Sequence, residues 1–160
     1  MQTRVMAIDY GDARTGVAVS DISRTLTGDA WVVSSKRSDE TARVIVDEAM
    51  ARDVGCIVVG YPKNMDGTIG SRAEKSEQFA ETLRSLVAQL TDGQASGERA
   101  ASELSVSNIE VVLWDERLTT KSASHILTES GKFAKKRKKT IDAIAASLLL
   151  ESYINSSLCH

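Results

Sequence analysis

A chain of 160 residues, 42% hydrophobic and 26% charged, is sized for one domain and composed like an ordinary globular protein, which argues against the disordered, fibrous and membrane classes. Its net charge of −2 argues against a protein that coats nucleic acid non-specifically. Two cysteines in unlike settings, Cys56 inside CIVVG and Cys159 beside the C-terminus, make neither a disulfide framework nor a metal knuckle.

The chain opens on RVMAIDY (residues 4–10) and TGVAVSD (residues 15–21), two apolar, β-branched runs joined by GDAR, a hairpin signal. No leader pattern precedes them and no run approaches the ~18 apolar residues of a membrane span, so the cytoplasm is the expected location. TLTGDAWVVSS supplies a third strand, and the three read as an antiparallel meander. From Ser38 the period turns helical, with Val44, Ile45, Val46, Ala49 and Met50 clustered until Gly55 ends the helix. CIVVG is then a short strand buried on both faces, as in parallel pairing.

The loop YPKNMDGTIG follows. Ser71 and Glu74 form a capping box that starts a long helix striped by Phe79, Leu83, Leu86, Val87 and Leu90. Residues 91–107 have little apolar content and no period, which marks a flexible connection. IEVVLWDE is a fifth strand, TKSASHILTES a helix closed by Gly131, and TIDAIAASLLLESYI a final helix. Between the last two, residues 132–139 hold six cations and no acid, an anion-seeking patch read as a mobile basic loop. The order βββαβαβαα predicts one α/β domain over residues 1–160. Its mixed five-stranded sheet has strands one to three antiparallel and strands one, four and five parallel.

Three acid positions stand where core residues belong. Ligands of open α/β sheets bind beyond the carboxyl ends of parallel strands, and Asp9 ends the first strand while Asp115 and Glu116 end the fifth. On the last helix, at about 100° per residue, Asp142 falls within the arc of Ile141, Ile144, Ala145, Leu148, Leu149 and Tyr153. An acid in an apolar stripe is costly unless it is paired, hydrogen-bonded or bound to a metal. Taken singly, Asp9 also reads as a turn-capping residue and Asp142 as a first-turn acid favoured by the helix dipole. One shared site explains all three positions at once. Carboxylates without a histidine or thiolate cluster suit Mg²⁺ or Mn²⁺, and two such ions about 4 Å apart activate water and stabilise the leaving oxygen in phosphodiester hydrolysis. His125 and His160 are assigned to structure or solvent, and the spacing leaves Asp115 and Glu116 equivalent.

The segments MAIDYGDARTGVAVSD, VVGYPKNMDGTIGSRAE, WDERLTT and TIDAIAASLLLESYI together resemble the signature segments of the YqgF (RuvX) family of bacterial proteins, within the ribonuclease H-like superfamily. The resemblance runs from Val5 to Ile154, with residues 91–107 longer than the family pattern. It implies a ribonuclease H-like fold and a metal-dependent nuclease whose catalytic and metal-binding acids fall on Asp9, Glu116 and Asp142. Asp9 would bridge two ions, Glu116 would fix one and Asp142 complete the other, with Asp115 left as an outer partner.

The resemblance also implies a role in maturing the 5′ end of 16S ribosomal RNA, beside an older assignment as a Holliday junction resolvase. Expected partners are precursor rRNA or branched DNA, with the small ribosomal subunit as a further one, and no membrane; the chain is expected as a monomer or homodimer. Arg14, Lys63, Asn64, Arg72 and Arg117, in or beside the signature loops, are candidates for holding nucleic acid. Lys135, Lys136, Arg137, Lys138 and Lys139 are candidates for clamping its backbone. With aromatic residues at only 4%, backbone recognition is the better expectation than base stacking. Two other classes stay open: an ATP-binding module or phosphotransferase of the related actin-like fold, and a nucleic-acid-binding protein whose acids are structural.

Overall fold

The computed structural model describes residues 3–34, 37–95, 109–115 and 134–158. Its elements in chain order are β1 (Arg4–Asp9), β2 (Arg14–Ser20), β3 (Thr27–Ser34), α1 (Ser38–Ala51), β4 (Val54–Tyr61), α2 (Ser71–Ala95), β5 (Glu110–Asp115) and α3 (Ala134–Leu158). The sheet order is β3-β2-β1-β4-β5. β1 pairs antiparallel with β2 and β2 with β3, while β4 is parallel to both β1 and β5. The mixed five-stranded sheet is therefore the one the sequence predicts. The candidate helix TKSASHILTES and most of the 91–107 connection lie outside the described residues.

Two cores sandwich the sheet because successive side chains on a strand point to opposite faces. On one face Met6, Ile8, Val17, Val19, Ile57 and Val59 meet Ile45 and Val46 of α1 and Phe79 and Leu83 of α2. On the other, Val5, Ala7, Ala18, Cys56 and Val58 meet Ala146, Leu149, Leu150 and Ile154 of α3. The crossovers β3–α1–β4 and β4–α2–β5 run in the same direction across the sheet, and their common hand puts α1 and α2 on one face. β1 is the central strand, and Val5, Met6, Ala7 and Ile8 are all buried.

Several local expectations are corrected. α1 ends at Ala51, not at Gly55. Asp53, in a left-handed conformation at φ 56, turns the chain into β4, as short polar residues can. Gly55 lies inside β4, where a β-carbon would press on the Thr3 side chain. Val44 is 42% and Leu90 38% exposed, so each falls off its helix's buried stripe. The Glu74 N–H donates to the Gly70 carbonyl at 3.1 Å. Gly70 thus holds the cap position and Ser71 is the first helical residue, an arrangement glycine supports.

Two boundaries also move. α2 runs to Ala95, five residues into the segment read as flexible. α3 begins at Ala134, so residues 134–139 of the expected basic loop are helical. Lysine, arginine and alanine are strong helix formers, and a run without glycine or proline gives the last helix no reason to start later.

Candidate active site

Asp9 is the last residue of β1 and stands opposite Gly16 of β2 in the antiparallel ladder. It shares parity with Val5 and Ala7, which turns it to the α3 face. On that face α3 comes unusually close to the sheet: a β-carbon on Gly16 would lie 2.6 Å from the Asp142 carbonyl carbon and 3.4 Å from the Ala146 β-carbon. Glycine inside a strand often marks such a backbone approach. Gly16 is thus the shared neighbour of Asp9, across the ladder, and of Asp142, above it.

The Asp142 carboxylate is held by Arg14, the first residue of β2 and of Gly16's parity, whose Nε donates to Oδ2 at 3.3 Å. The pair is partly buried, with side-chain exposures of 34% for Arg14 and 26% for Asp142. Burial pushes the Asp142 carboxyl above its ordinary value of 3.8, while the charge and hydrogen bond of Arg14, and then the charge of Arg72, pull it back. Arg72, the second residue of α2, therefore belongs to the electrostatic surroundings of this carboxylate.

Asp115 ends β5 opposite Tyr61 and shares parity with Val111 and Leu113, which face α1 and α2. It points away from the side carrying Asp9 and Asp142. Glu116 and Arg117 lie outside the described residues. Lys63 stands beyond β4, its ammonium 5.6 Å from the Tyr61 ring centre. Asn64 orders the following turn: its Nδ2 donates to Thr68 Oγ1 at 2.9 Å, its N–H to the Thr68 carbonyl, and its carbonyl accepts from Gly67. Lys135, Lys136, Arg137, Lys138 and Lys139 lie in the first turns of α3, just ahead of Asp142.

Packing holds the two sides of the edge. Tyr10, following Asp9, stacks on Phe79 of α2 with ring centres 4.2 Å apart. Trp114 of β5 meets Tyr153 of α3 edge to face at 5.3 Å and donates from Nε1 to Ser152 Oγ at 3.1 Å. The direct Arg14–Asp142 pairing is what sequence reasoning missed. Its signal was present in Gly16, a glycine in a β-branched strand two residues beyond an arginine.

Asp9 and Asp142 offer hard oxygen donors of the kind Mg²⁺ or Mn²⁺ accepts together with water and phosphate oxygens. Among the described residues no group of three histidine, cysteine, aspartate or glutamate side chains is close enough to hold a metal. The donor chemistry fits a hard divalent cation that keeps much of its water, with the third predicted acid, Glu116, beyond the described residues. No helix among the described residues is long and apolar enough to cross a membrane.

The model of the RuvX family, described as Holliday junction resolvase, matches residues 3–156. A Geobacillus kaustophilus protein named "Putative pre-16S rRNA nuclease" is 40% identical over 158 residues, covering 96% of this chain and 98% of its own. One of the same name from Thermoanaerobacter pseudethanolicus is 36% identical over 157 residues, covering 96% of each. Among solved structures, Thermus thermophilus RuvC in complex with a Holliday junction substrate superposes with a TM-score of 0.56 at 12% identity, over 98% of this chain and 96% of its own. The fowlpox virus Holliday junction resolvase does so with a TM-score of 0.53 at 12% identity, over 96% and 99%. At such identities the structural likeness concerns the fold, which is ribonuclease H-like.

Proposed function

Because this chain belongs to the RuvX family, matched over residues 3–156, we propose that it is a divalent-metal-dependent nuclease that trims the 5′ end of the 16S rRNA precursor. The observation that carries the reading is that Gly16 has Asp9 opposite it in the ladder and the Asp142 backbone packed against it, which brings residues from opposite ends of the sequence to the carboxyl edge of the central strand. That edge is where open α/β sheets bind their ligands. The rRNA end of the proposal is supported by the names of relatives 36% and 40% identical over nearly the whole chain.

Asp9, Asp142 and Glu116 would hold the cation. The alternation that turns Asp115 toward α1 and α2 supports Glu116 as the third acid. A bound divalent ion there would supply positive charge to activate water and to stabilise the oxygen leaving phosphorus. The chain's own residues position the substrate. Arg14 and Arg72, near Asp142, would meet phosphate oxygens, as guanidinium groups do in bidentate fashion. Lys63, Asn64, Arg117 and the run Lys135, Lys136, Arg137, Lys138 and Lys139 would extend that hold along the backbone. Such a protein works in the cytoplasm, beside the small ribosomal subunit, as a monomer or homodimer.

A second reading is cleavage of four-way DNA junctions, favoured by the family's description. The deciding experiment offers a labelled 16S precursor 5′ leader and a labelled DNA junction to wild type and Asp142→Asn, with Mg²⁺, Mn²⁺ or EDTA. The expected outcome is metal-dependent cutting of the RNA, abolished in the variant. Cutting of the junction alone replaces the substrate, and full activity in Asp142→Asn overturns the site.

A further inference from the structure

Arg14 and Asp142 meet across 128 residues of sequence in a partly buried pair. The pairing is fixed on both sides. Arg14 is held in the β2–β3 ladder opposite Ser34, and the Asp142 backbone rests on Gly16. The guanidinium therefore occupies one oxygen of a carboxylate that, on the reading proposed above, a divalent cation also needs. A guanidinium on Oδ2 leaves only Oδ1 open and sets a like charge beside any cation that approaches it.

We propose that Arg14 is a positioning latch that ties metal binding to substrate binding. Without nucleic acid it neutralises Asp142 and weakens the site's hold on divalent metal. When a phosphodiester arrives, the guanidinium transfers to a phosphate oxygen, a partner at least as strong as a carboxylate, and frees Asp142 for the cation. Arg72 lies near enough to act on the same carboxylate electrostatically, yet only Arg14 donates a hydrogen bond to it among the described residues. Linkage makes the effect reciprocal: if nucleic acid tightens the metal, the metal tightens nucleic acid by the same factor.

The test titrates Mn²⁺ calorimetrically into wild type, Arg14→Gln, Arg14→Lys and Asp142→Asn, each alone and with a phosphorothioate-substituted RNA hairpin that resists cutting. Arg14→Gln alone is expected to bind Mn²⁺ at least about threefold more tightly than wild type, since an exposed pair already carries about that much coupling. The hairpin tightens Mn²⁺ in wild type and has little such effect in Arg14→Gln. Arg14→Lys keeps a cation and returns the affinity toward wild type. Equal or weaker Mn²⁺ binding by Arg14→Gln, undiminished coupling to the hairpin, or a lysine variant indistinguishable from the glutamine one overturns the latch. If Asp142→Asn binds Mn²⁺ as wild type does, the metal site itself is wrong, a failure separate from that of Arg14.

Discussion

A β-carbon added to Gly16 would stand 2.6 Å from the carbonyl carbon of Asp142, so the position of a candidate catalytic acid on α3 is set by the absence of a side chain on β2. Gly16→Ala forces the helix outward. The expected cost is about 1–3 kcal/mol of stability, as for other overpacked sites, read from urea unfolding. Cleavage should fall further, by about 100-fold, because small displacements of catalytic groups are costly. Activity that merely tracks the folded fraction would show that Asp142 has no exacting position to hold.

β1, β2 and β4 were legible because each is a short apolar run bounded by turn residues, and these are the buried strands, whereas β3 and β5, at the sheet edges, are mostly half-buried or exposed. Asp9 and Asp142 were legible because each breaks an apolar pattern. What periodicity cannot carry is proximity between distant segments: neither Arg14 nor Asp142 announces the other. The beginning of α3 was misplaced because the cationic run reads as solvated loop by charge and as helix by propensity, and propensity prevailed. Asp53 replaced Gly55 as the turning residue because a left-handed conformation is open to aspartate as well as glycine.

The cationic first turns of α3 lie ahead of Asp142, and the proposed function runs the substrate backbone along them. Replacing Lys135, Lys136 and Lys138 by glutamine should weaken nucleic-acid binding at low salt. The slope of log affinity against log salt should fall by about one unit for each phosphate that is no longer neutralised. A slope identical to wild type in fluorescence anisotropy removes the run from the interface.

The β2–β3 turn depends on one carboxylate. Asp21 accepts hydrogen bonds from the Leu26 N–H at 3.0 Å, the Ser23 hydroxyl and the Thr25 N–H at 2.8 Å, and these hold its carboxyl well below the ordinary value of 3.8. A carboxyl depressed in the folded state stabilises it above the unfolded value and loses that contribution as pH falls toward the folded one. Asp21→Asn should therefore be less stable than wild type at neutral pH. The gap should narrow below about pH 4, as urea midpoints measured from pH 2.5 to 7 will show. A gap that widens on acidification contradicts this assignment.

Cys56 is buried against α3 with its sulfur 3.7 Å from the Tyr153 hydroxyl, and burial pushes its thiol above the ordinary 9.0. Since the thiolate is the reactive form, Cys56 should stay unmodified by iodoacetamide at pH 8 in the folded protein and react once denaturant is added. Peptide mass mapping reads the site directly, and labelling of the native protein at Cys56 would mean that α3 opens from the sheet.

The two faces of the sheet differ in grain. Toward α1 and α2 large side chains such as Met6, Ile8, Ile45, Phe79 and Leu83 fill the space; toward α3 the filling is fine around Gly16, with Ala18 and Ala146, and coarser along the helix at Leu149, Leu150 and Ile154. Coarse packing can be rearranged among side chains of similar total volume, whereas the fine packing around Gly16 has no slack to give. Sequence drift and deliberate stabilisation thus have more room on the α1–α2 face away from the Tyr10–Phe79 stack, while the contact of α3 with Gly16 keeps its carboxylate in register, like the fixed jaw of a vice whose other side can be adjusted.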